Sequence, residues 1–286
     1  MSRPRPPSAP RHLNDRDGGQ STPPPRRDER RAGPRAGRGN PGGGRHWLWG
    51  VHPVLAALGN GLRRCHRLVV TAEALKAHGS ELEMLLRARP LPPAEVISRP
   101  DLDTMLPFGV VHQGMAVAVD ALPDTEIADL LAAAQGRDKA VIMVLDQVTD
   151  PHNVGAVLRS AAAFGALGLV VPDRHAPDET GTLAKSASGA LERLPLVRVT
   201  NLVRSLEELK AGGFWIAGLA GDAPNTLAAA KLDGRIALVL GSEGEGLRRL
   251  TREHCDHLVK LPQTELVESL NVSNAAAVAL YELVRR

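Results

Sequence analysis

Short apolar runs alternate with helix-forming segments in the second half of the chain, and this alternation restricts the fold more than any other feature. From Ala140 onward, runs such as AVIMVLD, LGLVVP and RIALVLG are followed by segments with helical periodicity. Such runs are typical of strands buried on both faces, and strands that alternate with helices form parallel sheets. We predict an α/β domain with a parallel sheet over residues 139–286. Ligands bind beyond the carboxyl ends of such strands, which directs attention to the loops after Leu145, Leu240 and Leu261.

Three segments precede this domain. Residues 46–120 alternate strand and helix patterns and are predicted to form a small α/β domain, beginning with a turn and a short helix in WLWGVHPVLAALGN. A polar, partly helical linker is predicted at 121–138. Residues 1–45 are rich in Arg, Pro and Gly and cannot bury enough apolar surface to fold alone, so we predict a disordered tail.

The tail is strongly basic. Eleven arginines against four acidic residues give residues 1–45 a net charge of +7, which leaves −4 for the rest of a chain whose net charge is +3. Flexible, arginine-rich tails commonly add phosphate contacts to proteins that bind nucleic acids. A solvated tail without a partner remains the alternative.

The composition argues against several other classes of protein. No stretch of 18 uncharged apolar residues indicates a membrane span, and the N-terminus has no apolar signal core. Cys65 and Cys255 are too few for a disulfide framework, and the Cys and His spacings do not match a zinc site. We expect a cytoplasmic protein with reduced thiols, no membrane contact and no metal.

The segment NVGAVLR carries Asn153 and Arg159, and Arg159 is the one fully charged side chain between Asp150 and Asp173. The surrounding residues are apolar, small or neutral, so the segment is predicted to be buried. A buried ion without a partner costs on the order of several kcal/mol. We therefore expect Arg159 to pair either with an internal carboxylate or with something that the protein binds. Asp150 or Asn153 can cap the helix that starts here.

Two further polar segments follow strands near the end of the chain. GSEGEGL starts at Gly241, where glycines let backbone approach a ligand closely, and Glu243 adds a carboxylate. Its glycine order matches neither a dinucleotide fingerprint nor a phosphate loop. SLNVS supplies Ser269 and Asn271, which are neutral donors and acceptors at the start of an apolar helix. Taken singly, each segment could be only a turn or a helix cap.

Together, NVGAVLR, GSEGEGL and SLNVS resemble, in sequence and in order, the three motifs of the SpoU (TrmH) family of RNA 2′-O-ribose methyltransferases, within the SPOUT superfamily. AKSASGALERLP is similar to the family's connecting segment. WGVHPVLAAL and HQGMAVAV are similar to the two ends of the ribosomal-protein-like RNA-binding domain found in some members.

The resemblance implies a knotted (trefoil) methyltransferase fold, S-adenosylmethionine as the methyl donor, an RNA substrate and a homodimer. The layout is closest to members that methylate the ribose of a guanosine in 23S ribosomal RNA. Two alternatives stay open: a tRNA 2′-O-methyltransferase of the same family, and a non-catalytic RNA-binding or ribosome-assembly protein.

The resemblance also implies roles for five side chains. Asn153 and Glu243 match residues that shape the substrate pocket, and Ser269 and Asn271 match residues that orient the substrate or hold the loop beside the cofactor. Arg159 matches an arginine for which deprotonating or orienting the ribose hydroxyl is proposed. Because arginine rarely gives up a proton, we favour phosphate anchoring for Arg159.

Three further positions match the family's cofactor contacts, which are made by backbone at Gly241, Leu261 and Leu270. Backbone groups can read an adenine edge while apolar side chains enclose the ring. We expect Gly241 not to tolerate a side chain, because a Cβ there would push the cofactor away.

Overall fold

The computed structural model describes residues 46–264, 266 and 269–285. The tail predicted at 1–45 lies outside the described residues. None of the helices in the described part of the chain combines the length and the hydropathy that a membrane span requires. Within the same residues, no group of three or more His, Cys, Asp or Glu side chains is placed to hold a metal ion.

A four-stranded sheet with three helices forms the first part of the described chain. Its elements are β1 (His46–Trp49), α1 (Val51–Gly59), β2 (Cys65–Val70), α2 (Ala72–Ala88), β3 (Ala94–Val96), α3 (Arg99–Met105) and β4 (Met115–Val119). The strand order is β1-β4-β2-β3, and only the β2–β3 pair is parallel. The turn predicted for WLW is wrong. Leu48 and Trp49 are buried in β1, where they pair with Val117 and Ala116 of β4, because large apolar side chains favour a strand with a buried face.

A seven-stranded, fully parallel sheet forms the second part and confirms the predicted α/β architecture. Its strands are β5 (Ala140–Asp146), β6 (Leu169–Pro172), β7 (Leu196–Val199), β8 (Trp215–Leu219), β9 (Asn225–Thr226), β10 (Arg235–Gly241) and β11 (His257–Lys260). The order is β7-β6-β5-β10-β8-β11-β9, so two late strands are inserted between earlier ones. Such insertion is compatible with a knotted chain path, and the knot itself stays a prediction from the family resemblance.

Helices cover both faces of this sheet. They are α4 (Ile127–Ala134), α5 (Pro151–Ala163), α6 (Gly181–Ala187), a 3₁₀ turn (Ala190–Glu192), α7 (Leu202–Ala211), α8 (Leu227–Ala230), α9 (Arg249–Glu253) and α10 (Val272–Val284). Along β5, Met143 and Leu145 join the core beneath α5, α6 and α10, whereas Ile142 and Val144 join the core beneath α4 and α7. This alternation buries β5 on both faces, as its continuous apolar run indicates.

Three local features differ from the sequence patterns. The segment TLAKSASGALERL is not one helix, because Ser188 and Gly189 take left-handed backbone conformations between α6 and the 3₁₀ turn. The last helix begins after Asn271, which is its N-cap. In the polar segment 121–138, Ile127 and Leu130 of α4 are buried against the parallel sheet.

The sequence patterns also do not reveal the short elements β9 and α8, because these carry too few residues for periodicity to be detected.

A buried arginine ties the two sheets together. Arg63, which precedes β2, is 1% exposed, and its guanidinium contacts Glu192 at 2.7 Å and Glu179 at 3.1 Å. The same guanidinium donates a hydrogen bond to the carbonyl oxygen of Asp120 at 2.8 Å. Both glutamates follow β6 in sequence, so this cluster fixes the smaller sheet against the parallel-sheet domain.

Candidate active site

Three polar side chains from the three motifs meet at the carboxyl edge of the parallel sheet. Asn153 Nδ2 donates to Glu243 Oε1 at 3.1 Å, and Asn271 Nδ2 donates to the same oxygen at 2.7 Å. Asn271 Nδ2 also lies 2.9 Å from Asn153 Oδ1. The backbone N–H of Val272 gives Glu243 Oε1 a third donor at 3.2 Å. We call Asn153, Glu243 and Asn271 the polar triad.

Helix starts position two members of the polar triad. Asp150 caps α5 by accepting the backbone N–H of His152 at 2.9 Å, which leaves the Asn153 amide available for the triad. Asn271 caps α10 by accepting the backbone N–H of Ser273 at 2.9 Å. Because this cap uses Oδ1, the Nδ2 of Asn271 is free to donate to the other two members. The Oδ1 of Asn271 therefore caps the helix, and the Nδ2 of the same amide takes part in the polar triad.

Close backbone packing positions the third member, Glu243. The loop after β10 folds back so that the backbone N–H of Gly246 donates to the carbonyl oxygen of Ser242 at 3.0 Å. A Cβ built on Gly241 would lie 2.0 Å from the carbonyl carbon of Gly246 and 2.4 Å from the backbone nitrogen of Leu247. Gly241 is thus intolerant of a side chain, as expected, but the atoms that a Cβ meets first belong to the protein's own loop.

Arg159 lies outside the polar triad. Its side chain is exposed on α5, whereas Val157, Leu158 and Ala161 on the same helix are buried, so the predicted burial of Arg159 is wrong. Small and apolar neighbours are compatible with either face of a helix, and packing of α5 against α6 and α10 decides which face is covered. Among the described residues Arg159 forms no hydrogen bond or ion pair, so the internal carboxylate considered from the sequence is absent there.

The remaining predicted positions divide between the core and the surface. Leu261, directly after β11, is 7% exposed, whereas Leu270 is 36% exposed and Ser269 is also exposed. Among the contacts of the described residues, no hydrogen bond joins Ser269 to the polar triad. The structure therefore brings Asn153, Glu243 and Asn271 together, whereas Ser269 lies two residues before Asn271 without joining their hydrogen bonds.

The edge formed by β8, β10 and β11 suits S-adenosylmethionine. These strands are neighbours in the sheet, and the two residues that follow each of them are Ala and Gly, Ser and Glu, and Leu and Pro. None of these six residues is basic, which fits a sulfonium cation better than a polyphosphate. Gly221 has open space where a Cβ would stand, so backbone is accessible there. Of the three positions that the family resemblance predicts as cofactor contacts, Gly241 ends β10, Leu261 follows β11 and Leu270 lies just before α10.

One charged pair next to the polar triad was missed by the sequence interpretation. Asp146, the last residue of β5, is fully buried, and its carboxylate accepts Arg248 Nε at 2.6 Å and the Arg248 backbone N–H at 3.0 Å. The signal in the sequence is an acid that ends an otherwise apolar run, because a buried carboxylate requires a cation or several donors.

The fold and the polar triad are those expected of a methyltransferase of the SPOUT class, and comparison with known proteins gives the family. Residues 140–281 match the SpoU rRNA Methylase family, and residues 47–125 match the RNA 2′-O ribose methyltransferase substrate-binding domain. The 23S rRNA (guanosine-2′-O-)-methyltransferase RlmB of Xanthomonas campestris is 41% identical over 84% of this chain and 96% of its own length. The Escherichia coli K12 protein of the same name is 46% identical over 62% of this chain and 73% of its own length.

A solved structure gives the same assignment. The SpoU methyltransferase AviRb from Streptomyces viridochromogenes, in complex with the cofactor AdoMet, is 28% identical and superposes with a TM-score of 0.69. The match covers 85% of this chain and 90% of that chain. The chain therefore belongs to the SpoU rRNA methylase family, as its motifs indicate. The predicted class of enzyme, an RNA 2′-O-ribose methyltransferase, is confirmed with it.

Proposed function

We propose that this chain methylates the ribose 2′-hydroxyl of a guanosine in 23S ribosomal RNA. The observation that carries the proposal is the polar triad, in which all three family motifs converge on one carboxylate oxygen. The RlmB relatives, aligned over most of this chain, support the choice of RNA and base. A ribosomal RNA substrate also supports a cytoplasmic location. S-adenosylmethionine supplies the methyl group in this reaction, as the complex of the Streptomyces relative supports.

The polar triad holds a fixed carboxylate and amide surface for the nucleotide. Three donors engage Glu243 Oε1, and within the described residues the other carboxylate oxygen has no partner. That free oxygen can accept a hydrogen bond from a substrate hydroxyl or amine. Because its neighbours fix its position, Glu243 needs little reorganisation when the nucleotide binds. Asn153 and Asn271 act as positioning residues, and Ser269 is proposed to contact the substrate or the cofactor-side loop.

Arg159 is proposed to anchor an RNA phosphate beside the reacting ribose. Arginine side chains rarely give up a proton, which disfavours a role as general base. Exposure without a partner among residues 46–264, 266 and 269–285 supports a ligand-facing role, since the side chain is available to an anion without breaking an ion pair there. Bidentate pairing with phosphate would orient the nucleotide and favour loss of the hydroxyl proton electrostatically.

The two sheet-containing parts of the chain are proposed to have different functions. Residues 46–120 would recognise RNA, residues 139–286 would carry out methyl transfer, and residues 121–138 would connect them. The extents of the two family matches support this division. The tail at 1–45 would add phosphate contacts through its charge of +7.

A homodimer is proposed to form through α10. Three large apolar side chains, Val278, Tyr281 and Val284, are 49%, 56% and 42% exposed at spacings of three residues on this helix. A contiguous exposed apolar surface of this kind is typical of an interface. Tyr281→Glu is expected to convert a dimer to a monomer in light scattering. The matched control is Val96→Glu on β3, another exposed apolar position, which should leave the oligomeric state unchanged. A dimer that survives Tyr281→Glu contradicts the assignment of α10 to the interface.

Mapping of methylated riboses tests the proposed function. The purified chain is incubated with S-adenosylmethionine and an unmodified 23S rRNA transcript, and ribose methylation is read at single-nucleotide resolution. One methylated guanosine in 23S rRNA is expected, with none in a tRNA pool under the same conditions. Methylation of tRNA instead, or of neither RNA, contradicts the proposal.

Arg159 variants extend the same assay. Arg159→Ala is expected to lose methyl transfer by more than about tenfold while the melting temperature stays within about 2 °C, because exposed side chains without partners contribute little stability. Arg159→Lys retains the charge but not the planar fork and should recover only part of the activity. Near-wild-type turnover of Arg159→Ala would exclude Arg159 from the site.

A further inference from the structure

A second concave site lies at the other half of the carboxyl edge. The cavity has a volume of about 470 Å³ and lies beyond the ends of β5, β6 and β7, where Gln147, Pro172 and Thr200 line it. The segment that starts α9, Arg248–Thr251, closes one side. No member of the polar triad lines this cavity. In the sheet, β10 separates these three strands from β8 and β11, whose ends suit the cofactor.

The lining of this cavity is basic. Arg174, His175, Arg248 and Arg249 contribute to its wall, and no acidic residue does. Among the described residues, Arg174 forms no hydrogen bond or ion pair. The two residues directly after each of β8, β10 and β11 include no basic side chain, so the two halves of the edge differ in charge. A basic wall favours an anionic ligand and disfavours a sulfonium cation.

Arg248 is held in place for such a ligand. The fully buried carboxylate of Asp146 accepts the Arg248 Nε at 2.6 Å and its backbone N–H at 3.0 Å. The two terminal nitrogens of the guanidinium have no partner among the described residues, and the side chain is 44% exposed. A guanidinium fixed through Nε presents its outer N–H groups as a ready fork for a phosphate.

Two further observations point to a ligand in this cavity. Thr251, which lines it, is 1% exposed, and its hydroxyl has no hydrogen-bond partner within the described residues. Buried polar groups are normally satisfied, so a hydroxyl left open beside a cavity indicates a missing partner. Gln147 and His175 also line the cavity, and both have positive φ values, 61° and 79°. Non-glycine residues in this conformation concentrate at functional sites.

We propose that this cavity binds a phosphodiester group of the RNA substrate together with its adjoining nucleotide. The volume falls within the range of about 300–1,000 Å³ that small-ligand sites occupy. Arg248 and Arg174 would contact the phosphate, and Thr251 would donate its hydroxyl to the same group. This inference relies on RNA as the substrate and not on which nucleotide is methylated.

Substitutions in the cavity test the proposal with the full-length protein and a 23S rRNA transcript as the probe. Arg174→Gln removes a cation that has no partner in the described part of the chain. Arg204→Gln is its control, because Arg204 is an exposed arginine of α7 that does not line the cavity. Arg174→Gln is expected to weaken RNA binding at least about fivefold. The slope of log affinity against log salt should fall in magnitude by roughly 0.7–0.9, the value for one lost phosphate contact. Arg204→Gln should change affinity less than about twofold.

Thr251→Val separates ligand binding from folding. Removing an unsatisfied buried hydroxyl should leave the melting temperature unchanged or raise it, whereas RNA affinity should fall several-fold. Thr251→Ser retains the hydroxyl and should bind RNA as the wild type does. All four variants should bind S-adenosylmethionine with unchanged affinity, because neither Arg174, Arg204 nor Thr251 lies among the residues that follow β8, β10 and β11 at the cofactor edge.

Three results would overturn the proposal. The first is equal RNA affinity for Arg174→Gln, Thr251→Val and the Arg204→Gln control. The second is a loss of S-adenosylmethionine binding without a loss of RNA binding, which would assign the cavity to the cofactor. The third is a combination of two observations: inorganic phosphate raises the melting temperature of the wild type, and the variants bind RNA as tightly as the wild type does. Together these would indicate a site for free anions. Weakened RNA binding by a chain that methylates no 23S rRNA would contradict the proposed function and leave this site standing.

Discussion

Replacing Gly241 with alanine is expected to displace the loop that carries Glu243 while both sheets remain folded. A Cβ at Gly241 would lie 2.0 Å from the carbonyl carbon of Gly246, whereas ordinary contacts begin at 3.4 Å. The obstructing atoms are backbone, so no change of rotamer relieves the overlap. The loop must therefore move by about 1.4 Å, which is the difference between these two distances.

A shift of this size is enough to break the polar triad. Glu243 Oε1 accepts its three hydrogen bonds at 2.7–3.2 Å, and lengthening them by that amount takes them beyond hydrogen-bonding range. At about 0.5–1 kcal/mol each for partly exposed groups, their loss lowers the free energy of unfolding by about 1.5–3 kcal/mol. Displacing a positioned group by about 1 Å lowers turnover by on the order of 100-fold.

Thermal unfolding and the kcat/KM for methylation of a 23S rRNA transcript measure the two effects. Gly244→Ala is the matched control in the same loop, because its Cβ would meet nothing within 4 Å although its φ of +87° adds strain. That strain costs about 1–3 kcal/mol without steric overlap. Gly241→Ala should therefore be the less active variant by at least about tenfold. Equal kcat/KM values for the two variants would refute the claim that backbone packing at Gly241 positions Glu243.

Three other perturbations have defined outcomes. Arg63→Ala should lower the free energy of unfolding in urea by about 3–5 kcal/mol, because Glu192 keeps a buried charge. Arg67→Ala, which breaks the exposed pair with Glu95, should have a much smaller effect, and similar costs for the two variants would contradict the buried-pair argument. Burial raises the pKa of Cys255 to about 11. Iodoacetamide at pH 8 should therefore modify Cys255 on the order of 100-fold more slowly than a thiol of pKa about 9, because only the thiolate reacts. Comparable rates of modification would contradict the raised pKa. Deleting residues 1–45 should weaken RNA binding and flatten its salt dependence without moving the methylated nucleotide, and a moved nucleotide would disprove the assigned role.

Periodicity predicts the α/β architecture of this chain well because its two central strands, β5 and β10, are long and mostly apolar on both faces. Between their charged end residues, Asp146 and Arg235, the runs that become β5 and β10 are continuous and apolar, because helices cover both faces of these strands. Short elements such as β9 have no comparable signal. The exposure of Arg159 was also beyond prediction, because alanines beside it fit the inside and the outside of a helix equally well.

The sequence predicts which residues belong to the candidate site better than it predicts which of them contact each other. Asn153, Glu243 and Asn271 follow strands whose carboxyl ends share one edge, which is why the motifs indicated a common site. Their direct contact depends on β10 lying beside β5, although 90 residues separate Asn153 from Glu243. Periodicity does not report strand order. The pairing of Asp146 with Arg248 was missed for the same reason, since it spans 102 residues.

One loop joins the polar triad to the basic cavity. This loop is hydrogen-bonded to α5, where Glu243 accepts from Asn153, and to the end of β5, where Arg248 donates to Asp146. These two contacts lie five residues apart on the loop, at Glu243 and Arg248, and they couple the position of the polar triad to that of the basic cavity. A phosphate bound at Arg248, as proposed, would therefore fix the position of the RNA strand relative to Glu243. Because methyl transfer requires the ribose oxygen in line with the donor, anchoring at the cavity would contribute to alignment as well as to affinity.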